Sequence, residues 1–333
     1  MENDLAEAID ILKRLSEEGV EKALAVLREI KAEIDKKEKT SVPDCINCGS
    51  KHVVRNGHKH MKQAYLCRNC GKSFVDTTKT TLFQSHFGEA MWKQVIRDTV
   101  GGISIDDTAA SLDLHHETVF NMRHKILYCL EQEERMNPTQ FEGVCELDET
   151  YILENYKGSE LPPDFWRQSR KHGAVAVKRG LSDEYICVCA GVEREGNALS
   201  MSVNRATAGT EDIRQVFGNR ISGKTIIVSD GSKGYGVLEE DGKCAVFNAK
   251  EAQAHGVDFF NINTVNNFHS FIKERNRNAR GFATKYLNRY NALFSKIYRT
   301  TDAVVDDIYK MLCDRNERNQ TILKTKTQDL LEI

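Results

Sequence analysis

Two groups of residues have the types and spacing that metal chemistry requires. The first is a set of four cysteines, in which Cys45 and Cys48 stand in CINCG and Cys67 and Cys70 stand in CRNCG. Two residues between paired cysteines let one tight turn direct both thiolates at one ion, and this spacing, repeated after 18 residues, is typical of structural zinc sites. Four thiolates close the coordination shell, so the site is predicted to stabilise the fold and to perform no reaction. Free thiols are the alternative.

The second group consists of acidic residues that end strand-like segments. Asp148 stands in ELDET, and Asp230 ends TIIVSDG, the most apolar segment of the chain. An ionised carboxylate at the end of a buried strand is costly unless it is compensated, and a divalent cation is a common compensator. The alternative for Asp230 is that it caps the following turn. Carboxylates that converge in an α/β domain with basic segments fit phosphodiester chemistry with two divalent ions, either Mg²⁺ or Mn²⁺.

A helix packed across those strand ends is expected to supply the remaining groups. In NTVNNFHSFIKERNRNARG, Asn266 and Lys273 are seven residues apart, which places them on one helix face about 10 Å apart along the axis. Asn266 offers an amide oxygen to a metal, and Lys273 can reach a phosphate. His269, one turn beyond Asn266, either points at the site as well or, as is expected here, lies at the surface. The buried stripe of this helix is predicted to consist of Val265, Phe268 and Ile272.

The elements that precede these acids have the features of DNA-binding modules. Between the paired cysteines, HVVRNGHKHMKQAYLC predicts two short strands that turn at Asn56-Gly57, and hence a basic zinc ribbon. Residues 103–127 predict a short helix with Ser104 as its N-cap, a turn at residues 113–115 and a second helix. This pattern fits a helix-turn-helix, although an ordinary helical hairpin has the same pattern. The residues left for a DNA groove and its phosphates are Thr118, Asn121, Arg123, His124 and Lys125.

The remaining sequence predicts a multidomain α/β chain. Strand-like runs occur at 144–152, 184–192, 198–203 and 224–230, and helical segments at about 209–217, 264–277 and 283–298. The order is therefore three strands, a helix, a fourth strand and later helices. The predicted domains are a helical hairpin at 1–40, the zinc ribbon at 41–80, the helix-turn-helix at 81–137, the catalytic domain at 138–300 and a helical tail at 301–333.

Composition and charge narrow the class of protein. The chain has 333 residues, of which 40% are hydrophobic, so it is predicted to be globular with roughly two domains. No run of 18 apolar residues is present and the start, MENDLAEAID, is acidic, which predicts a cytoplasmic protein. The net charge of −2 conceals two basic segments, since residues 41–80 carry 7 basic and 2 acidic side chains and residues 271–299 carry 8 and 1. Such segments indicate contact with a polyanion, and solvated basic faces are the alternative.

These motifs together resemble the bacterial insertion-sequence transposases of the DDE superfamily that carry an N-terminal zinc ribbon. The resemblance covers about 45–300 and rests on the ribbon, the helix-turn-helix, ELDETYI, IIVSDGSKGY and NTVNNFHSFIK. It implies an RNase H-like, retroviral-integrase-like catalytic domain, in which Asp148 and Asp230 bind metal and act in catalysis together with Asn266 and Lys273. Many relatives have glutamate at the position of Asn266, so the asparagine is either a subgroup signature or a mark of weakened activity. Glu146, on the same strand face as Asp148, is considered as a further acid.

The resemblance also implies the function and the partners. The chain is expected to be a DNA transposase that binds the terminal inverted repeats of an element and cleaves and transfers DNA strands, in a bacterium or an archaeon. Its expected cofactors are one structural Zn²⁺ and two Mg²⁺ or Mn²⁺ ions, and its expected partners are double-stranded DNA and further copies of itself. Neither a membrane nor a small-molecule substrate is expected. Arg275, Arg277 and Arg280, with the basic stretch 166–180, are expected to follow the DNA backbone. The alternatives are a catalytically lost regulator that binds DNA, and a nuclease without strand transfer.

Overall fold

The computed structural model describes residues 42–59, 62–158, 176–242, 244–279, 281–300 and 303–315, with isolated positions among 16–27 and 161–165. The predicted helical hairpin, residues 166–175 of the basic stretch, Arg280 and the predicted tail beyond residue 315 lie outside this part of the chain, apart from those isolated positions. The chain divides between Thr78 and Lys79 into two compact units. Each unit is described by itself.

The first unit is a three-stranded antiparallel sheet. Its strands are β1 (Val53–Lys59), β2 (Lys62–Cys67) and β3 (Ser73–Val75), with β2 in the centre. The prediction of a turn at Asn56-Gly57 is wrong, because both residues lie within β1, where the register with β2 shifts between Arg55 and His58. This shift is a β-bulge, and Gly57 takes the positive φ of 66° that the extra residue requires.

The second unit contains a five-stranded mixed sheet covered by helices. Its strands, in the spatial order β6-β5-β4-β7-β8, are β4 (Val144–Leu153), β5 (Tyr185–Glu193), β6 (Ala198–Arg205), β7 (Ile226–Ser229) and β8 (Ala245–Asn248). The strands β4, β5 and β6 are antiparallel, and β7 and β8 are parallel to β4. The four strands predicted in this region are confirmed, and β8 was not predicted.

Helices of the second unit pack on both faces of the sheet. They are α1 (Glu89–Gly101), α2 (Ile105–Leu112), α3 (His116–Met136), α4 (Thr210–Phe217), α5 (Gly236–Glu240), α6 (Ala249–Ala254), α7 (Asn263–Asn278), α8 (Leu287–Ile297) and α9 (Val304–Cys313). Among the described residues, no helix is long and apolar enough to cross a lipid bilayer.

Strand β5 explains why both faces of the sheet are covered. Seven consecutive residues of β5 are buried, as expected for a strand with helices on both sides. On one face, Val188 and Ala190 pack in a hydrophobic cluster with α1, α3, α7, α8 and α9, whereas on the other face Cys189 packs with α4 and α5. Successive residues of β4 therefore point alternately at α7 and at α4. This alternation decides which side chains can meet at the site.

The predicted helix pair is present as α2 and α3. The Oγ atom of Ser104 accepts a hydrogen bond from the backbone N–H of Asp107 at 3.0 Å, which confirms the predicted N-cap. Asp113 ends α2 in the left-handed conformation, with a φ of 52°. The middle of α3 packs in the same hydrophobic cluster as the sheet and α8, so residues 79–315 share one compact unit.

Candidate functional site

The fold brings Asp148 and Asp230 to equivalent positions on neighbouring strands. In the parallel pair of β4 and β7, Leu147 lies opposite Ser229; Asp148 is the next residue of β4, and Asp230 is the first residue after β7. Adjacent strands are spaced by about 4.8 Å, so the two Cα atoms lie about 5 Å apart, although 81 residues separate them in sequence. Both side chains are partly covered, with 18% of Asp148 and 32% of Asp230 exposed.

The electrostatics of this pair favour a bound cation. Burial raises the pKa of Asp148 to about 6, and the nearby charges of Glu149 and Asp230 add to the effect. The Nζ atom of Lys250 lies 3.3 Å from the Oδ2 atom of Asp230, but this lysine side chain is 74% exposed and reaches only one of the two acids. The Oδ1 atom of Asp230 accepts a hydrogen bond from the N–H of Ser232 at 2.9 Å, so Asp230 also caps the following turn.

The raised pKa of Asp148 predicts a dependence of stability on pH. The folded protein holds this proton up to about pH 6, whereas the ordinary pKa of an aspartate, as in the unfolded chain, is 3.8. The associated stability is therefore complete below pH 4 and is lost as the pH rises through 6. Without divalent ions, Asp148→Asn is expected to raise the free energy of unfolding at pH 7 by up to about 3 kcal/mol and to flatten its change between pH 4 and 6. Urea denaturation at each pH measures this, and a variant less stable than the wild type at pH 7 would contradict it.

Helix α7 places a histidine beside the acid pair. The prediction of a surface position for His269 is wrong, because only 6% of the residue is exposed. Its Nδ1 atom lies 3.8 Å from the Oδ2 atom of Asp148, which is longer than a hydrogen bond. Burial, together with the charge of Lys273, lowers the pKa of His269 to about 4, so the imidazole is neutral at pH 7.

The two predicted groups of α7 flank this histidine. Asn266 and Lys273 are both exposed and differ by only about 20° around the helix axis, as their spacing predicts. The predicted buried stripe of this helix is confirmed, since Val265, Phe268 and Ile272 are each 0% exposed. The stripe fixes the rotation of α7 on the sheet, and that rotation directs the flank with Asn266 and Lys273 to solvent beside His269.

Glu146 joins the strand of Asp148 to the start of α7. It is 0% exposed, and its Oε2 atom accepts hydrogen bonds from the N–H groups of Thr264 at 2.6 Å and Val265 at 3.1 Å. Its Oε1 atom accepts a hydrogen bond from the Nε atom of Arg194 at 2.8 Å. The idea that Glu146 supplies a further acid to the metal site is therefore wrong, because both oxygens are occupied. Glu146 caps the positive N-terminal end of α7 instead.

Removal of this carboxylate is expected to destabilise the second unit. Glu146→Ala leaves two backbone N–H groups and the Nε–H of Arg194 without their acceptor, so the free energy of unfolding should fall by about 2–4 kcal/mol. Urea denaturation measures the change. Glu142→Ala is the control, because Glu142 is exposed and lies just before the same strand. Equal stability of the two variants would show that the buried contacts of Glu146 contribute nothing to the fold.

Several residues predicted to contact DNA lie in other environments. Arg123 is only 6% exposed, and its Nη2 atom lies 3.4 Å from the Oγ1 atom of Thr108. The prediction that Arg123 is available to a DNA groove is therefore wrong. His124 is likewise buried, at 3% exposed, and its ring packs against the rings of Phe120 and Tyr286, each at 4.3 Å. Arg275 is half-buried, and its Nη1 atom donates to the carbonyl oxygen of Val100 at 3.0 Å, at the end of α1, so its contact with DNA stays a prediction.

The remaining members of that predicted set keep some exposure. Arg277 is exposed at the end of α7, and the half-buried residues of α3 are Thr118, Asn121 and Lys125. Burial lowers the pKa of Lys125. The spacing of apolar residues in α3 predicts a single buried face, which would leave Arg123 exposed. Arg123 is buried because α2 and α8 cover this part of the helix on two sides.

The four cysteines of the first unit form one cluster. Their sulfur atoms all lie within 4.8 Å of one another, and the Cys45–Cys70 and Cys48–Cys67 separations are both 3.6 Å. Disulfide sulfurs are about 2.05 Å apart, whereas Zn–S bonds of about 2.3 Å in a tetrahedron place sulfurs about 3.8 Å apart. The backbone N–H of Cys70 lowers the pKa of Cys67 to about 6, which favours the thiolate that metals bind. The cluster therefore has the geometry of a site for one metal ion.

One residue beside the acid site, Arg194, was not predicted from the sequence. Arg194 lies 48 residues from its partner Glu146, and no local pattern links them. The sequence indicates the burial of His269 only weakly, through its position next to Phe268, a residue of the predicted buried stripe. Among the described residues, the four cysteines are the only group of three or more His, Cys, Asp or Glu side chains whose ligand atoms lie within 4.8 Å of one another. The acid site therefore has two carboxylates, those of Asp148 and Asp230, without a third acid equally close.

Parts of the chain are similar to a known protein family, to a protein of a transposable element and to a solved structure. Residues 140–299 match the family described as the ISXO2-like transposase domain. Over 200 residues the chain is 27% identical to an uncharacterized protein in transposable element ISH50 of Halobacterium salinarum, a match that covers 59% of this chain and 65% of that relative. The crystal structure of a pre-cleavage Mos1 transpososome is similar over 66% of this chain and 73% of that chain, with 13% identity and a TM-score of 0.27.

Proposed function

We propose that the chain is a DNA transposase that cleaves DNA strands and joins them to a target, a proposal supported by the match of residues 140–299 to the ISXO2-like transposase domain family. The observation that carries this proposal is the position of Asp148 and Asp230 next to each other on parallel strands, beside the buried His269 of α7. A structural pair of acids would be expected to have basic partners of comparable burial, whereas Lys250 is largely exposed.

The sheet supports an RNase H-like assignment for the catalytic domain. Three antiparallel strands, a helix and two further parallel strands give the order β6-β5-β4-β7-β8, with the acids on the two central neighbours β4 and β7. The first acid then lies within the first strand of the sheet, the second follows the fourth strand, and α7 packs against β4 and β5. This agrees with the order of elements that the sequence predicts.

The residues of the site have distinct proposed roles. Asp148 and Asp230 would hold two Mg²⁺ or Mn²⁺ ions, and when bound these ions activate water or a 3′-hydroxyl and stabilise the leaving oxygen. Lys273, exposed on α7, binds a DNA phosphate next to the acids. Asn266 contributes a neutral amide oxygen, so the protein supplies one negative charge fewer than three carboxylates would. The neutral His269 shields Asp148 from water on the protein side without adding positive charge.

The first unit and the helix pair are proposed to recognise DNA. The four thiolates fit one structural Zn²⁺, because their spacing matches tetrahedral sulfur ligation. Exposed basic side chains surround this sheet, namely Lys51, Arg55, Lys59, Arg68 and Lys72. We propose that they bind the phosphates of the element's inverted repeats, and that α2 and α3 act as a helix-turn-helix through the exposed start of α3. Because two DNA ends must be paired, the working form is proposed to be a homo-oligomer.

A strand-transfer assay tests the proposal. The purified protein, Mg²⁺ and a duplex with the inverted repeat that flanks the gene should yield cleaved ends joined to target DNA. Hydrolysis without joining would indicate a nuclease. Specific binding to the repeat without divalent-dependent cleavage would contradict the enzyme proposal and would indicate a DNA-binding regulator.

A further inference from the structure

An exposed aromatic cluster lies at the edge of the sheet beside the acids. It consists of Phe247 on β8 and of Phe259 and Phe260 in the loop before α7. The rings of Phe247 and Phe260 stack at 4.3 Å with an interplanar angle of 9°, and Phe259 meets Phe260 edge-on at 5.2 Å and 81°. Phe247 and Phe259 are nevertheless 38% and 56% exposed. Large aromatic side chains held in order yet open to solvent commonly mark a binding surface.

The strand register places this cluster next to the acid pair. Glu146, Val228 and Phe247 lie opposite one another on β4, β7 and β8, so all three point to the α7 face of the sheet. Asp230 follows Val228 by two residues and is therefore a diagonal neighbour of Phe247. With strands about 4.8 Å apart and about 3.3 Å per residue, the Cα atoms of Asp230 and Phe247 are about 8 Å apart.

Arg194 holds the exposed ring in place. Its Nη2 atom donates to the carbonyl oxygens of Phe259 at 2.6 Å and Asn261 at 3.2 Å, and its guanidinium lies 4.7 Å from the centre of the Phe259 ring. The same guanidinium bonds the buried Glu146. The position of Phe259 is therefore tied to the strand of Asp148. The positively charged guanidinium of Arg194 lies against the Phe259 ring. The cluster can therefore attract a ligand that combines a flat ring with a negative charge.

We propose that Phe247, Phe259 and Phe260 form a stacking platform for one unpaired base of the DNA substrate, next to the phosphate that the acids act on. This inference rests on the proposed function and specifies its substrate further, as DNA with an unstacked nucleotide at the reacting end. A nucleobase matches the cluster because it is flat and aromatic and is attached to a phosphate, for which Lys250 and Arg194 are nearby. Stacking on aromatic side chains tolerates any base, so no sequence preference is required.

The test uses fluorescence of the stacked base. The probe is a DNA duplex with a three-nucleotide single-stranded 3′ end that carries 2-aminopurine, mixed with the full-length protein without added Mg²⁺. Wild type is expected to bind the probe and to quench 2-aminopurine. Phe259→Leu keeps an apolar side chain but removes the ring, so it should weaken binding by roughly 5- to 150-fold and abolish the quenching, whereas Phe259→Tyr should retain both. Leu181→Ala is the control, since Leu181 is 53% exposed in the loop before β5.

The outcomes separate this inference from the proposed function. Absence of any DNA binding by the wild type would contradict the function itself. Binding and quenching that are the same in Phe259→Leu as in the wild type would contradict only the stacking platform. A second copy of the chain on the cluster is the other occupant to be tested. In that case Phe259→Leu would change the sedimentation coefficient while quenching stayed at the wild-type level, and the inference would be wrong.

Discussion

Asp148→Asn and Asp230→Asn are each expected to lower the rate of strand transfer by at least about a thousandfold. Asparagine preserves the shape of the side chain but removes the charge that holds the divalent ions, whose contribution of several kilocalories per mole corresponds to a factor of this size. The rate is measured with the inverted-repeat duplex in Mg²⁺, at protein concentrations that saturate DNA binding. Binding of the DNA itself should change by less than about tenfold, because the charge is lost from the site of reaction.

Glu149→Gln is the matched control for these variants. Glu149 is the neighbour of Asp148 in sequence, is also partly buried, and burial raises its pKa as well. It points to the opposite face of β4, away from α7. The variant should therefore retain strand transfer within about tenfold of the wild type. If Glu149→Gln were as inactive as Asp148→Asn, a face-specific acid pair would be ruled out.

Removal of the metal from the cysteine cluster is expected to unfold the first unit. The described hydrophobic core of this unit contains only a few side chains, namely Val53, Tyr65 and Phe74 with Cys45 and Cys67, so most of its stability must come from ligation. Structural zinc sites in small domains supply about 10–16 kcal/mol of apparent binding free energy at pH 7. A strong chelator should therefore abolish the amide exchange protection of β1 and β2, and re-addition of Zn²⁺ should restore it.

Two cysteine variants sharpen this prediction. Cys45→Ser removes one ligand of the cluster and should reproduce the effect of the chelator. Cys187→Ser is the control, because Cys187 is buried in β5 of the second unit, where its change should leave the first unit folded. Retention of exchange protection in the metal-free protein would show that the four thiols are not a structural site.

The sequence contains enough information to predict the acid pair but not its surroundings. Asp230 was identifiable because it follows the apolar strand β7, whereas Asp148 lies within β4, and the parallel pairing of these two strands brings the acids together. The role of Glu146 was not predictable, since it depends on Arg194 and on the start of α7, which lie 48 and 118 residues away. A carboxylate that binds a metal and one that caps a helix look alike in a sequence.

The helical region shows a second limit. The boundaries of α2 and α3 were predictable from Ser104 and from the turn at residues 113–115, because caps and turns are local. Which residues of α3 remain exposed depends on α8, more than 150 residues later in the chain, and the burial of Arg123 follows from that packing. The bulge at Gly57 could not be distinguished from a turn in the sequence, because Asn-Gly favours a positive φ in both.

The stability of the site and its activity are expected to oppose each other at Asp148. Burial that raises its pKa to about 6 costs stability at neutral pH, and the same burial strengthens attraction between the carboxylate and a cation. Asp148→Asn should thus be more stable than the wild type and nearly inactive. Such a combination is common at functional sites and would separate loss of chemistry from loss of folding.

The most direct measurement is the position of Mn²⁺ in a crystal of the protein, located by anomalous scattering. A peak about 2.2 Å from an oxygen of Asp148 and from an oxygen of Asp230 is predicted, since one ion is expected to bridge the two strands. Manganese bound to only one of these aspartates, or absent from both at concentrations that support strand transfer, would contradict the metal site on which the proposed reaction depends.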